Sequence, residues 1–339
     1  MSRQWRLALA ALLLPGVVSC GDSAVPAAPL TAPTPAPAPI ATTAGRVINA
    51  LTDAGAGSIA ITGAAIVPTV SDANGGFNLS ITAGTGSAQI AFTGAGYVAR
   101  VTSVRVPGPA ASLSLVPAAF DLAAFDEMFR VSQLRRWTEP PPLTIQTRTL
   151  QFTAVNDADF TALDDQMTDA EYAKLVEDLQ WALPQLSGGR FNAFAAITRE
   201  TAAPGARVHI LNTGVITMAR YVGLTQGTTF WGYSRWFFQD AGSITSGESM
   251  LDRDFERSGS PFLRSLRAHE LGHALGYNHV TVRASVMNAA ARLEPNDFDR
   301  DASRIAFQRP PGNRSPDTDP DAFSANRVGA AGAWSAPVP

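Results

Sequence analysis

The chain has a single cysteine in 339 residues, Cys20, so no intrachain disulfide can form. An exported fold built from this chain must therefore rest on its apolar core. Histidine is almost as scarce, at 4. Charge is sparse and nearly balanced: 26 Lys and Arg against 29 Asp and Glu leave a formal net charge of -3. That balance offers no basic patch and argues against nucleic acid as a partner. The apolar run near the N-terminus, "LALAALLLPGVV", is too short to span a bilayer as a permanent helix.

The scarce histidines are not scattered. Three of the four lie within "HELGHALGYNH", His269 to His279. His269 and His273 are four residues apart, which on a helix of 3.6 residues per turn stacks them on one face. Two imidazoles so placed can grip one ion at Zn–N distances of about 2.0–2.1 Å. Glu270 follows His269, near enough to reach an activated water yet angled away from direct ligation. Gly276 stands where the helix should stop, because glycine adopts the left-handed terminal conformation cheaply. The turn there would bring His279 round as a third nitrogen ligand. Three protein ligands and a vacant fourth position describe a catalytic zinc site, whereas a structural one is closed by four. A bare H-E-x-x-H also occurs in proteins that bind no metal, so the third histidine and the glycine carry weight. Upstream, "SGSPFLRSLRAHELGHALG" offers Ser260 as N-cap, Pro261 as first helical residue, and Phe262, Leu266 and Leu275 as apolar positions. His209 lies outside the motif, in the strand-like "ARVHILN", and is read as structural.

His269, Glu270, His273, Gly276 and His279, followed by Met287, match H-E-x-x-H-x-x-G-x-x-H with its methionine turn position by position. In this the sequence resembles the metzincins, a family of zinc endopeptidases, and "HELGHALG" is most similar to the matrixin branch. The resemblance implies an α/β catalytic domain with a mostly parallel twisted sheet and a zinc-binding active-site helix. It implies that Glu270 is the general base and that Met287 forms an apolar floor without ligating. The order strand, helix, four strands, helix is also the order of metzincin catalytic domains. In that family the fourth strand edges the cleft and pairs with extended substrate, which makes Gly232 to Phe238 the candidate cleft edge, although its aromatic density suits core packing equally. Some features depart from the pattern. Val280 replaces the residue that marks the better-known branches, Ala289 stands where some members have a tyrosine ligand, and the cysteine count excludes a matrixin-type cysteine switch.

The N-terminus carries Arg3 and Arg6, then the apolar run, then Val17-Val18-Ser19-Cys20, which resembles a bacterial lipobox. That resemblance implies lipidation of Cys20 and attachment to a cell-envelope membrane. The alternative is an incidental cysteine beside an ordinary signal-peptidase site, which would leave the protein secreted. Gly21 is not the aspartate that would suggest inner-membrane retention. Residues 21–43, rich in Pro and Ala, read as an extended tether.

Residues 44–117 alternate apolar and polar positions in short runs broken by Gly, Asn and Asp, which predicts an antiparallel β-sandwich. Gly45-Arg46-Val47, Asn74-Gly75-Gly76-Phe77 and Gly96-Tyr97 are similar to carboxypeptidase regulatory-like, prealbumin-type modules, implying a spacer or binding role. Residues 118–311 form the expected peptidase domain. Within it "MTDAEYAKLVEDLQWALP" predicts a helix, with Thr168 and Glu171 as capping box and an apolar stripe of Tyr172, Leu175, Val176, Leu179 and Leu183 ending before Pro184. Asp297, Asp299 and Asp301 alternate as calcium ligands do, but they lack the EF-hand glycine and glutamate, and acidic residues also suit a helix start. Residues 312–339, rich in Pro, Gly, Ala and Asp, read as a disordered tail.

The sequence thus predicts an α+β multidomain chain: a zinc-dependent, monomeric endopeptidase of extracytoplasmic proteins, anchored through Cys20. The competing expectation is a non-catalytic surface-binding lipoprotein with a vestigial zinc site.

Overall fold

The computed structural model describes residues 41–81, 86–154, 157–223, 231–239, 242–321 and 332–338. The leader, Cys20 and the tether up to residue 40 lie outside the described residues. Among those residues no helix is long and apolar enough to cross a membrane. The chain is β-rich, with several sheets and few helices.

Seven strands come first: β1 (Ala41–Asn49), β2 (Ala60–Thr62), β3 (Thr69–Val70), β4 (Gly76–Ile81), β5 (Gly86–Thr93), β6 (Arg100–Val106) and β7 (Ala111–Leu115). They form two sheets, ordered β4-β1-β7 and β3-β2-β5-β6. Alternation makes them a sandwich. Phe77, Leu79 and Ile81 of β4 and Ala88, Ile90 and Phe92 of β5 are buried in turn, because successive side chains leave a strand on opposite faces. Together with Val47, Ile61, Val104 and Leu115 they make one core. Two details differ from the sequence reading. The first strand begins at Ala41, inside the expected tether, and β1 pairs parallel with β7 as well as antiparallel with β4.

The second part contains α1 (Leu122–Phe129), β8 (Leu143–Gln151), β9 (Asp159–Gln166), α2 (Asp169–Gln185), β10 (Ile197–Glu200), β11 (Arg207–His209), β12 (Ile216–Val222), β13 (Gly232–Gln239), β14 (Ser243–Asp252), α3 (Arg253–Glu256), α4 (Leu263–Ala274), α5 (Asp297–Phe307) and β15 (Gly332–Val338). Its sheet runs β11-β9-β8-β12-β14-β13-β15, with β10 added against β8. The centre, β8-β12-β14, is parallel, but β9, β11, β13 and β15 all pair antiparallel. The sheet is therefore mixed, and not mostly parallel as expected. Helices α2, α4 and α5 contribute Leu175, Leu179, Leu183, Leu266, Leu271 and Ile305 to the main core beside Leu143, Ile145, Ile216 and Met218 of the sheet.

Helix α2 begins where the capping box predicts. Thr168 Oγ1 accepts from Glu171 N–H, and Glu171 Oε2 accepts from Thr168 N–H. It runs through Pro184 to Gln185, although Pro184 has no N–H to give the last turn, so one ladder hydrogen bond is missing there. Helix α4 starts later than expected, with Phe262 at the N-cap and no side-chain cap. Ser260 instead folds its hydroxyl onto Phe262 N–H at 3.2 Å, making a tight turn ahead of the helix.

Part of the expected disordered tail is ordered, while its residues 322–331 lie outside the described residues. Residues 312–319 are tied into the molecule, and β15 is a strand. Arg309 grips Asp317 through two hydrogen bonds of 2.7 Å and donates to Ser114 Oγ at 2.7 Å. Arg100 donates to Asp319 at 2.6 Å and to Ser114 O at 2.9 Å. Asn313 bridges both carboxylates, while Val101 N–H donates to Asp317 O and Asp319 N–H to Val101 O. Asp and Asn give this segment a disordered composition, yet buried arginines from the sandwich and from beyond α5 need them as counter-charges.

Burial raises the Asp317 carboxyl, but Arg309 and Arg100 outweigh it and hold the group below its usual 3.8. A depressed carboxylate contributes stability that is present above its unfolded pKa and lost as pH falls through the folded one. Asp317→Asn should cost roughly 3–5 kcal/mol near neutral pH, with the penalty shrinking below about pH 4. Denaturant titrations at pH 7 and pH 3 check this, and a penalty independent of pH would contradict it.

Candidate metal centre

Helix α4 is buried from Ser265 to Ala274, so its histidine face cannot turn toward solvent. Arg267 fixes it by donating to Asp178 of α2 at 2.7 Å and to Glu256 of α3 at 3.0 Å, all three side chains being buried. Trp137 Nε1–H donates to Ala274 O at 2.9 Å near the helix end. The helix stops at Leu275 in a Schellman turn: Gly276 N–H donates to His273 O at 2.8 Å and Tyr277 N–H to Gly272 O at 3.0 Å. Gly276 has φ +108°, and a Cβ there would meet Arg135 O at 2.5 Å. The sequence reading of Gly276 agrees with this geometry.

Beyond the turn, Asn278 N–H and Nδ2–H both donate to Met128 O of α1. His279 is thereby returned to the helix. His269, His273 and His279 offer ring nitrogens that all lie within 4.8 Å of one another, and this is the one such group of metal-binding side chains among the described residues. His273 Nε2 and His279 Nε2 are 3.1 Å apart. His269 Nδ1 and His273 Nδ1 each lie 2.7 Å from a main-chain carbonyl, of Val286 and Tyr277 respectively. A carbonyl only accepts, so both Nδ1 atoms carry the proton and both Nε2 atoms present lone pairs. His269 Nε2 is buried with no hydrogen-bond partner.

Burial pushes the imidazoles toward neutrality, His269 down to about 3 and His273 and His279 also below their usual value. Neutral, orientated imidazoles with converging lone pairs are the donor set that zinc takes. The residues present fit such an ion. Met287, wholly buried, packs against α4: a Cβ on Gly272, the residue before His273, would come within 2.6 Å of its sulfur.

Glu270 is also buried, and points toward β13 and β14. Ser234 Oγ donates to its Oε2, and Ser249 Oγ donates to its main-chain O at 3.1 Å. Its Oε1 has no partner. Burial raises the carboxyl to about 8, opposed by the Ser234 hydrogen bond. Neither serine was singled out in the sequence, where they stand among aromatic and small residues that read as ordinary strand.

The loop carrying Met287 is held by Asp299 of α5. Asp299 accepts from Ser285 Oγ at 2.6 Å, Val286 N–H at 2.9 Å and Asn296 N–H at 2.9 Å. Val286 O then receives the His269 proton, so Asp299 orients a candidate ligand through one intervening residue. Asn296 caps α5 and forms a capping box with Asp299, while Asp297 is exposed. The three alternating aspartates do not converge, in keeping with the helix-start reading over calcium. Asp252 likewise caps α3. His209 is exposed, beside Asp159 at 3.1 Å, and takes no part.

Gly232 of β13 leaves room for Glu270: a Cβ there would lie 1.9 Å from Oε1. Gly232→Ala should force the buried carboxylate aside and cost about 1–3 kcal/mol by overpacking. Gly86→Ala, whose Cβ would meet nothing within 4 Å, should be neutral or slightly stabilising. Thermal melts of both variants check this, and equal melting temperatures would refute the close approach.

No family model matches the sequence, and no curated protein matches it. Among solved structures, a DUF3823 family protein from Parabacteroides merdae ATCC 43184 is 11% identical over 24% of this chain and 46% of that one, with a TM-score of 0.18. The Bacillus anthracis TIE protein is 7% identical over 62% of this chain and 41% of that one, with a TM-score of 0.19. This chain therefore spans less than half the length of either, and at these scores neither assigns it a fold family or an activity.

Proposed function

We propose that the chain is a zinc-dependent endopeptidase of the metzincin kind, acting on extracytoplasmic proteins. The observation that carries this reading is the convergence of three imidazoles, two of them turned by main-chain carbonyls to present Nε2, on a helix that also buries Glu270 with Oε1 unpartnered. The parallel centre of the sheet, with antiparallel β13 lying over α4, supports it further.

His269, His273 and His279 would hold the zinc. Bound there, zinc supplies a Lewis acid that polarises a peptide carbonyl and lowers the pKa of water. Glu270 takes the proton from the attacking water on Oε1, while Ser234 holds Oε2 and fixes the rotamer. Glu270 then returns that proton to the departing amine. A carboxyl raised by burial is suited to both transfers near neutral pH, and a nearby cation would draw its pKa down again. Met287, its sulfur against Gly272 of the same helix, would be the apolar floor of such a site.

The purified chain should carry about one zinc, measured by elemental analysis, and lose it when His269, His273 or His279 becomes alanine. Glu270→Ala should keep the metal and lower peptide-bond cleavage by about 10²–10⁴-fold. Zinc near zero after native purification, or undiminished cleavage by Glu270→Ala, would overturn the reading. Identical peptide profiles for wild type and Glu270→Ala in a proteome-wide cleavage screen would favour a non-catalytic surface binder.

The lipid anchor is part of the same proposal. Acyl chains on Cys20 bind a membrane at about 0.8 kcal/mol per buried methylene, and the proline-rich tether would let the catalytic part range over nearby substrates. Cys20→Ser should move the protein from the membrane fraction to the soluble one and abolish palmitate labelling. Unchanged partitioning of the variant, with no label on the wild type, would mean free secretion.

A further inference from the structure

Strand β13 has two antiparallel neighbours. On one side lies β14, and on the other β15, whose residues align from Gly232↔Val338 to Phe238↔Gly332. The edge taken by β15 is the only one of β13 that β14 leaves open, and among the described residues no strand lies beyond it. The same β13 supplies Gly232 and Ser234 to Glu270. In register with those two residues are Val338 and Ala336 of β15. The chain thus lays one of its own extended segments along the strand that touches the candidate base.

An open strand edge is a row of unpaired N–H and C=O groups that accepts an extended peptide by β-augmentation. We propose that Gly332–Val338 is an intramolecular occupant of the peptide-pairing edge at this site, so that the chain excludes extended peptides until the segment is displaced. The proposal rests on the peptidase reading only for calling the excluded peptide a substrate. The occupancy itself is a statement about binding.

One property suits the segment to exchange. It carries no charged residue, so no ion pair of its own adds to the main-chain pairing. It is nonetheless covalently attached, following Asp321 by 10 residues (322–331). A connection of that length gives an effective concentration on the order of millimolar. A free peptide of comparable affinity must exceed that concentration to compete, whereas removing the segment opens the edge outright.

The test measures binding apart from cleavage. The probe is a fluorescein-labelled synthetic peptide of sequence GAWSAPV, read by fluorescence anisotropy. Three proteins carry Glu270→Ala so that nothing is cut: the full chain, the chain ending at Asp321, and the full chain with Trp334→Pro and Ser335→Pro. Adjacent positions alternate in ladder direction, so one of those two prolines must remove a pairing donor. The probe is expected to bind the shortened chain and the proline variant at least tenfold more tightly than the full chain. Equal affinity for all three, or binding to none, would overturn the proposal. Should the shortened chain lack the full chain's circular dichroism spectrum, the proline variant decides alone. The same three proteins with Glu270 restored are then given casein. Selective probe binding with no cleavage by any of them sinks the peptidase reading and leaves the occupancy standing. Equal cleavage together with equal probe binding sinks the occupancy and leaves the peptidase reading standing.

Discussion

The histidine triad depends on two hydrogen bonds that face away from it, from His269 Nδ1 to Val286 O and from His273 Nδ1 to Tyr277 O. An imidazole with its outer nitrogen protonated has no choice but to present its inner lone pair, so each carbonyl sets both tautomer and ring plane. The carbonyls are themselves fixed. Tyr277 follows the Schellman turn at Gly276 and is buried against Phe129 and Ser303. Val286 is held by Asp299 at the start of α5. A capping carboxylate, a helix-ending glycine and two ring nitrogens therefore form one continuous support, and the chain elements carrying it are more than twenty residues apart at their extremes.

The site was far more legible in the sequence than its support. Periodicity alone places His269 over His273, and glycine chemistry alone predicts the turn that returns His279. Both rest on local geometry, which a sequence carries directly. Ser234 and Ser249 were invisible because strand pairing brings them together, at 2.9 Å across β13 and β14, and nothing local marks them. Strand β12 escaped for a related reason. Every residue from Ile216 to Tyr221 is buried, Arg220 included, so the alternation that betrays a half-exposed strand is missing. The residues after Pro311 misled through composition: Asp317 and Asp319 look solvated until Arg309 and Arg100 appear beside them. The leader and Cys20 remain a sequence reading, outside the described residues.

Two sets of buried ion pairs lie around Glu270. Arg267 of α4 with Asp178 and Glu256 joins α2 and α3 to the helix that carries the histidines, and Arg235 with Glu248 joins adjacent strands β13 and β14. In each, the pair sits behind an element that carries Glu270 or one of its serine partners. Removing one partner would leave an uncompensated charge where no water can reach it, which is a strong penalty against any looser arrangement. The chain uses charge to reject alternatives at the places where the position of Glu270 is decided.

The Arg100–Ser114–Arg309–Asp317 cluster has a consequence for how this chain could be rearranged by recombination. Its members come from the sandwich, from the stretch just past α5 and from the final acidic segment, and all four are buried. A chain cut or fused at Pro311 would strand two guanidinium groups in the interior on one side of the break. A sandwich transplanted onto another protein would carry Arg100 without Asp319. The sandwich is thus not an interchangeable bead on a string, and an inheritance that shuffled it away from its present neighbour would have to replace the arginines at the same time.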